Sequence, residues 1–413
     1  MTPNYCTSRN DTEGCGSSVR FPCGIECSKG GMDMRRKLLC LLLCAAILGT
    51  GCVRAAQPEI EAPSAVLIDA ATGTVLYEKN DHERLAPASV TKVMTLLLVM
   101  EALDSGAISW DDMVTASDHA SAKGGSQVYL EVGEQMSMDD MLKSVVVSSA
   151  NDCATALAEH VAGSESAFVE RMNARALELG MNDTHFVNCT GLDDEPDAQE
   201  HLTSAYDIAL MSRELLRHDA IRNYTTIWMD TVRDGQFGLS NTNKLVRFYD
   251  GATGLKTGFT SGAGYCLSAS AMREGMELIA VVMHCESSAE RFSSAKALLD
   301  HGFANYALYT PEPETCAVPV ALGQTAQITP VLKEQTPVLV DKAVRAQITQ
   351  EAELVENVSA PVEAGQQLGT LRITADGQLL ASIPLIAPEA VERLSVRALT
   401  KRLLEAICFG KTK

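Results

Sequence analysis

Apolar and polar positions alternate and then crowd together in an order that predicts a sheet interrupted by a helical middle. Residues 64–68 (SAVLI) run into 69–74 (DAATGT), where Gly73 can take a positive φ, and Val75-Leu76-Tyr77 resumes the run, as a β-hairpin would. After Pro87, residues 90–103 (VTKVMTLLLVMEAL) are apolar on nearly every side, which predicts a helix buried in the middle of a domain with Ser89 at its start. Ser137 and Asp140 have capping-box spacing and open a second helix that runs through Met141-Leu142 toward Val145-Val146-Val147. Further helices are expected over 153–161 and 168–179. Residues 264–271 (GYCLSASA) and 278–284 (LIAVVMH) read as buried strands, with Arg273-Glu274-Gly275 as the turn between them. The sum is one α/β domain whose sheet draws on both ends of its chain segment.

The pattern changes at Thr310-Pro311-Glu312-Pro313-Glu314, a Pro/Glu linker that marks a domain boundary. Short strands follow at 338–340, 347–349, 371–374 and 379–383, separated by turn signals such as Ala364-Gly365 and Asp376-Gly377, so 312–387 is expected to be a small all-β domain. Over 388–413 a final amphipathic helix is expected. It carries Val391, Leu394, Leu399, Leu403, Ala406 and Ile407 among Arg393, Arg397, Lys401 and Arg402, a pattern that suits a membrane surface or packing on the second domain. At the other end, Met34-Arg35-Arg36-Lys37 precedes the apolar run 38–48 (LLCLLLCAAIL), which predicts a signal peptide over 34–56 and an exported protein. The run is short for a bilayer span. Cleavage is expected after Ala55 or Ala56, while Gly49-Thr50-Gly51-Cys52 is a weaker lipoprotein-type alternative. Residues 1–33 are read as an extension ahead of a true start at Met32 or Met34.

Composition narrows the classes. At 413 residues the chain exceeds what one core usually organises, and 46% hydrophobic with 21% charged residues is ordinary for a globular protein. A net charge of -19 disfavours nucleic acid as a partner, because phosphate binding needs clustered Lys and Arg. Of thirteen cysteines, seven precede residue 53 and the other six are scattered without a CxxC pair. Neither a metal site nor a disulfide framework is signalled, and no cofactor is expected.

The candidate chemistry lies in three short motifs in fixed order: Ser89-Val90-Thr91-Lys92, Ser149-Ala150-Asn151 and Lys256-Thr257-Gly258. Each spelling alone is weak, and the first recurs at Ser293-Ser294-Ala295-Lys296. The ordered set is not weak: it starts a buried helix, falls between two helices, and sits just before a strand pair. Positions i and i+3 share a helix face, so Lys92 can bring its amine beside the Ser89 hydroxyl. To accept a proton the amine must be neutral, and lowering its ordinary value near ~10.4 to neutrality takes roughly 4 kcal/mol of environmental bias. Burial and a second cation, Lys256, are the available sources. Ser149 would pass the proton toward the leaving nitrogen, and Asn151 would orient Lys92 and the substrate amide. Lys256 and Thr257 suit a carboxylate, Gly258 keeps the strand surface open, and a peptide could add along that edge. The backbone N–H groups of Ser89 and Phe259 are candidates for an oxyanion hole.

These motifs resemble the set shared by class A β-lactamases and penicillin-binding proteins. The surroundings are similar to the serine D-Ala-D-Ala carboxypeptidases among the low-molecular-mass penicillin-binding proteins (peptidase S11-like). The residues that carry this are 85–95 (LAPASVTKVMT), 149–154 (SANDCA), Leu179-Gly180-Met181 with Thr184-His185-Phe186, 201–207 (HLTSAYD) and 254–271 (GLKTGFTSGAGYCLSASA). The resemblance covers roughly 57–306. It implies a transpeptidase-type α/β domain, an antiparallel sheet with helices on its faces plus a helical subdomain, followed by a small all-β domain and a membrane-associating terminal helix. It also implies Ser89 as acyl-ester nucleophile, Lys92 as proton acceptor, Ser149 as third active-site residue and Lys256 as substrate-binding lysine. Arg291 is similar to an arginine that helps hold the terminal carboxylate; a solvated surface arginine is its other reading. The implied partners are a peptidoglycan stem peptide ending in D-Ala-D-Ala, β-lactam antibiotics as covalent inhibitors, and the outer face of the cytoplasmic membrane or the cell wall.

Rival readings meet specific obstacles. A β-lactamase would need a glutamate to deacylate Ser89, and Glu178-Leu179-Gly180-Met181-Asn182 lies too close to the second motif. A Ser-His-Asp triad through His185, His201 or His284 lacks a GxSxG elbow, and no HExxH supports metal hydrolysis. A wall-binding protein without catalysis would not require all the catalytic residue types to be in place.

Overall fold

The computed structural model describes residues 57–194 and 197–409. The signal and lipoprotein readings, the extension 1–33 and the last residues of the terminal segment lie outside that range. Five antiparallel strands form the central sheet: β1 (Ser64–Asp69), β2 (Val75–Lys79), β3 (Ala252–Thr260), β4 (Gly264–Arg273) and β5 (Met276–Cys285), in the order β2-β1-β5-β4-β3. The first strand therefore pairs with the last, as expected from a sheet fed by both ends of the segment. The tight turn between β4 and β5 has positive φ at Glu274 and Gly275, the geometry of a two-residue hairpin loop.

Both faces of the sheet are covered, which explains why its strands read as continuous apolar runs rather than alternating ones. Val66, Ile68, Ile279, Val281 and Met283 face one core, made with α1 (Lys92–Asp104), α2 (Met138–Val147), α3 (Asn151–Ala162), α4 (Glu165–Glu178) and α5 (Ala205–Leu215). Ala65, Leu67, Leu267, Leu278, Ala280 and Val282 face a second core against α6 (Ser288–Asn305), through Ala295, Leu298 and Leu299. Helix α1 is buried on almost all sides. The helix at Ser137 is capped as predicted, its hydroxyl accepting from Asp140 N at 3.1 Å.

Beyond the sheet, β6 (Tyr306–Tyr309) pairs with β7 (Val338–Asp341), so a pairing spans the Pro/Glu linker. A four-stranded sheet combines Val331–Leu332 with β8 (Ile348–Leu354), β9 (Gln367–Ala375) and β10 (Gln378–Ile386). The final helix is shorter than the pattern predicted: α7 spans Val396–Phe409. Val391 exchanges backbone hydrogen bonds with Val362 and is buried in the β-domain core. Its place in the apolar periodicity was filled by a core contact, not by the helix.

Candidate active site

Ser89 lies in a single 3-10 turn, Ala88–Thr91, that runs directly into α1. The hydroxyl-bearing residue is half-buried while Lys92, one turn on, is wholly buried. The i, i+3 spacing delivers the expected contact, with Lys92 Nζ 2.9 Å from Ser89 Oγ. Two more polar atoms surround the amine: Asn151 Oδ1 at 2.5 Å and the Thr190 carbonyl at 2.8 Å. Asn151 is oriented by its own amide, which donates to Gly124 O at 2.7 Å, so its oxygen faces the lysine.

This arrangement serves both protonation states of the amine. A neutral amine has two N–H bonds and one lone pair. Asn151 Oδ1 and Thr190 O can only accept and take two N–H bonds; Ser89 Oγ accepts the third from the charged form, or its hydroxyl donates to the lone pair of the neutral amine. Burial pushes the Lys92 pKa down to about 7, against the opposing pull of the buried Asp152 carboxylate. The amine is thus a base poised at neutral pH, in contact with the group it would deprotonate.

Ser149 and Ala150 connect the end of α2 to the start of α3. Ser149 is buried and holds φ +64, a left-handed conformation that non-glycine residues adopt rarely and that clusters at functional sites. Both flanks are tied: Thr242 N donates to Val147 O at 3.2 Å, and Asn151 N donates to Ser126 O at 2.7 Å. The Thr257 hydroxyl donates to Thr242 Oγ1 at 2.7 Å, which links the third motif to the second.

Lys256-Thr257-Gly258 lies inside the edge strand β3 rather than just before a strand pair, a correction to the reading of its position. Gly258 has a different use from the one expected. A Cβ there would sit 2.5 Å from Pro87 O and 3.1 Å from Ser89 N, so the missing side chain lets β3 approach the Ser89 backbone. Lys256 is buried and donates to Thr257 O at 2.9 Å; burial, then the charges of Lys92 and Arg291, hold its pKa well below the ordinary lysine value. Phe259, next along the strand, is exposed and stacks on Tyr265 with ring centroids 4.2 Å apart. Arg291 is not a solvated surface residue. It is buried on α6 and donates to Gly258 O at 3.1 Å and Cys266 O at 3.3 Å, bracing β3 and β4 from behind.

Several contributors have roles that the sequence did not signal. Gly191 holds φ +79, and a Cβ there would fall 1.8 Å from Ala88 O, so only glycine lets the 188–192 loop deliver the Thr190 carbonyl to Lys92. Thr91 donates to Ala88 O at 2.9 Å and is itself bonded to His201 Nε2 at 2.8 Å. His201 Nδ1 accepts from Val187 N at 3.2 Å, which leaves Nε2 as the protonated nitrogen. Burial pushes the His201 pKa down to about 4, so the ring is neutral near pH 7 and braces the 3-10 turn without touching Ser89. Nothing in the spelling Asn188-Cys189-Thr190-Gly191 announces a contact with Ala88, 103 positions earlier.

A half-buried serine on a helix start, a buried lysine one turn on, and an edge strand with a second buried lysine are an arrangement suited to acyl transfer. Comparison with known proteins supplies the finer assignment. The family model described as D-alanyl-D-alanine carboxypeptidase (peptidase S11) matches residues 52–287, and that of the penicillin-binding protein 5 C-terminal domain matches 304–393. The D-alanyl-D-alanine carboxypeptidase DacF of Bacillus subtilis is 42% identical over 358 residues, 85% of this chain and 91% of the relative. The crystal structure of penicillin-binding protein 5 from Haemophilus influenzae superposes with a TM-score of 0.72 at 31% identity, covering 82% of this chain and all of that one. Penicillin-binding protein D2 of Listeria monocytogenes, solved in an ampicillin-bound form, matches with a TM-score of 0.54 at 31% identity over 59% of this chain and 98% of its own. The chain belongs to the peptidase S11 family of D-alanyl-D-alanine carboxypeptidases, the low-molecular-mass penicillin-binding proteins.

Proposed function

We propose that this enzyme removes the terminal D-Ala of peptidoglycan stem peptides through an acyl-enzyme on Ser89, and that β-lactams inhibit it by forming the same ester. The observation that carries the reading is the buried Lys92 amine, 2.9 Å from Ser89 Oγ and bonded also to Asn151 Oδ1 and Thr190 O. Lys92 takes the hydroxyl proton as Ser89 Oγ attacks the penultimate carbonyl carbon. The C–N bond breaks, the proton returns through Ser149 to the leaving nitrogen, and free D-Ala departs. Water then adds to the ester and restores the Ser89 hydroxyl. Lys256 and Thr257 hold the terminal carboxylate, with Arg291 supporting the strand they sit on, and the substrate lies along the exposed edge of β3. The N–H groups of Ser89 and Phe259 receive the oxyanion, a role favoured by the close approach of Gly258 to Ser89 N.

The enzyme acts outside the cytoplasmic membrane in cell-wall biosynthesis and remodelling, and α7 rests on the lipid surface. Val396, Leu404 and Ile407 on that helix are exposed, which suits an interfacial helix. No helix among the described residues is long and apolar enough to cross a bilayer.

One preparation tests these points. Wild-type protein is expected to gain the mass of a penicillin at Ser89, to release D-Ala from a synthetic pentapeptide, and to co-sediment with anionic phosphatidylglycerol vesicles. Ser89→Ala is expected to lose the adduct and the D-Ala release and to keep the vesicle binding. An unmodified wild-type protein would overturn the acyl-enzyme reading, and protein left in the supernatant would overturn the membrane reading.

A further inference from the structure

A second charged cluster lies just behind the site. Glu165, in the first turn of α4, is nine-tenths buried and pairs with the equally buried Lys123 at 2.8 Å. His119 Nε2 lies 2.6 Å from the same carboxylate oxygen, on the exposed side. The other oxygen accepts two bonds from one residue: Cys189 N at 3.0 Å and Cys189 Sγ at 3.1 Å. Cys189 is also gripped on its far side, where its carbonyl accepts from Thr95 Oγ1 of α1 at 2.6 Å.

What the cluster holds decides its meaning. Cys189 immediately precedes Thr190, whose carbonyl takes one N–H of Lys92. Lys123 immediately precedes Gly124, whose carbonyl takes the Asn151 amide and so turns the Asn151 oxygen toward the other N–H of Lys92. The two carbonyls that fix the amine therefore come from two separate loops, and one carboxylate ties both loops together. Nothing in acyl transfer needs a buried Lys–Glu pair at this place, and a buried pair is at best a weak source of stability. Each of its ends nonetheless adjoins an atom that aims the base.

We infer that Glu165 is a positioning residue for the acyl-transfer reaction, holding through Cys189 and Lys123 the two carbonyls that direct the Lys92 lone pair at Ser89. Glu165 touches neither substrate nor reacting atoms; it acts by keeping the amine's two N–H bonds engaged elsewhere. Burial resists its charge, but its donors prevail and bring the carboxyl pKa down to about 2, so the tie stays ionised throughout the pH range of activity. The inference rests on Lys92 as the proton acceptor proposed above.

The test measures acylation by a fluorescent penicillin from pH 5 to 10 on purified, folded full-length protein, with Ser89→Ala as the control for the underlying reading. Glu165→Gln keeps the shape but removes the charge. Glu165→Ala combined with Lys123→Met removes the carboxylate together with the ammonium it pairs with, and it carries the test if the first variant fails to fold. Acylation is expected to slow by about 10-fold and about 100-fold respectively, the scale set by misplacing a reacting group by a fraction of an ångström to 1 Å. The acidic limb of the pH profile is expected to move to higher pH, because a loosened amine gains water and regains basicity. Slower acylation alone would suit a structural role; the displaced limb would not. Wild-type rates and an unmoved limb in either folded variant would overturn the positioning role while leaving the acyl-enzyme reading intact. Labelling of Ser89→Ala at the wild-type rate would overturn the reading itself.

Discussion

The two halves of the molecule keep their interiors differently. In the domain built on the central sheet, Lys92, Lys256, Arg291, Asp152 and His201 are all buried, together with a network of Ser, Thr and Asn side chains. Among the described residues after Ser294, no polar or charged side chain is buried; the β-domain closes on small apolar clusters around Val318, Leu368 and Val391, and around Leu371, Ile373 and Leu385. A buried charge is costly unless its partners are fixed in place. The first domain therefore holds groups whose value is chemical, and the second holds only those that serve packing.

Lys92→Met is expected to break this contrast most sharply. Removing the amine should slow acylation by about 10²–10⁴-fold, while leaving Asn151 Oδ1 and Thr190 O without their buried donor should lower thermal stability by about 1–3 kcal/mol. Stopped-flow acylation and thermal unfolding read the two effects. In the wild type, acylation should fall about tenfold for each pH unit below about 7, as Lys92 gains a proton and loses its lone pair. The linkage sign follows from the same shift. The folded value near 7 lies below the 10.5 of a free lysine, so the unfolded chain binds the extra proton between those limits, and this group makes stability rise with pH from about 7 to 10.5. Lys92→Met should lose that rise.

Gly191→Ala comes next in effect. The added methyl meets Ala88 O in a left-handed backbone, which should cost about 2–4 kcal/mol in urea unfolding and also slow acylation, because the displaced atoms adjoin Ser89. The smallest effect on chemistry is expected from Leu371→Ala in the β-domain core. Its cavity should cost about 2–5 kcal/mol, comparable to Gly191→Ala, yet acylation per folded molecule should be unchanged. A slowed reaction there would show that the β-domain does more than pack.

The comparison also explains where reading the chain succeeded. Ser89 and Lys92 were legible because one helical turn relates them, and Ser149 with Asn151 because a helix ends and another begins between them. The strands of the central sheet were legible because both of its faces are covered. Val391 was misplaced because a valine bonded to Val362 in a β-domain core looks the same in a periodic pattern as one on a helix face. That Lys256-Thr257-Gly258 lies inside a strand rather than just before a strand pair was not legible, since two of its three residues are poor strand formers.

The sequence by itself determined the main elements, the spelling and order of the three motifs and the pairing of Ser89 with Lys92, because each of those rests on spacing within a few residues. Tertiary structure alone decided that the Lys92 pKa falls to about 7, since this depends on complete burial among residues that chain order leaves far apart. It also decided that Gly258 and Gly191 are needed for close backbone approach, and that Glu165 adjoins the loops that aim Lys92. Proton affinity is set by the atoms within a few ångströms of a group, and chain folding, not chain order, brings those atoms together.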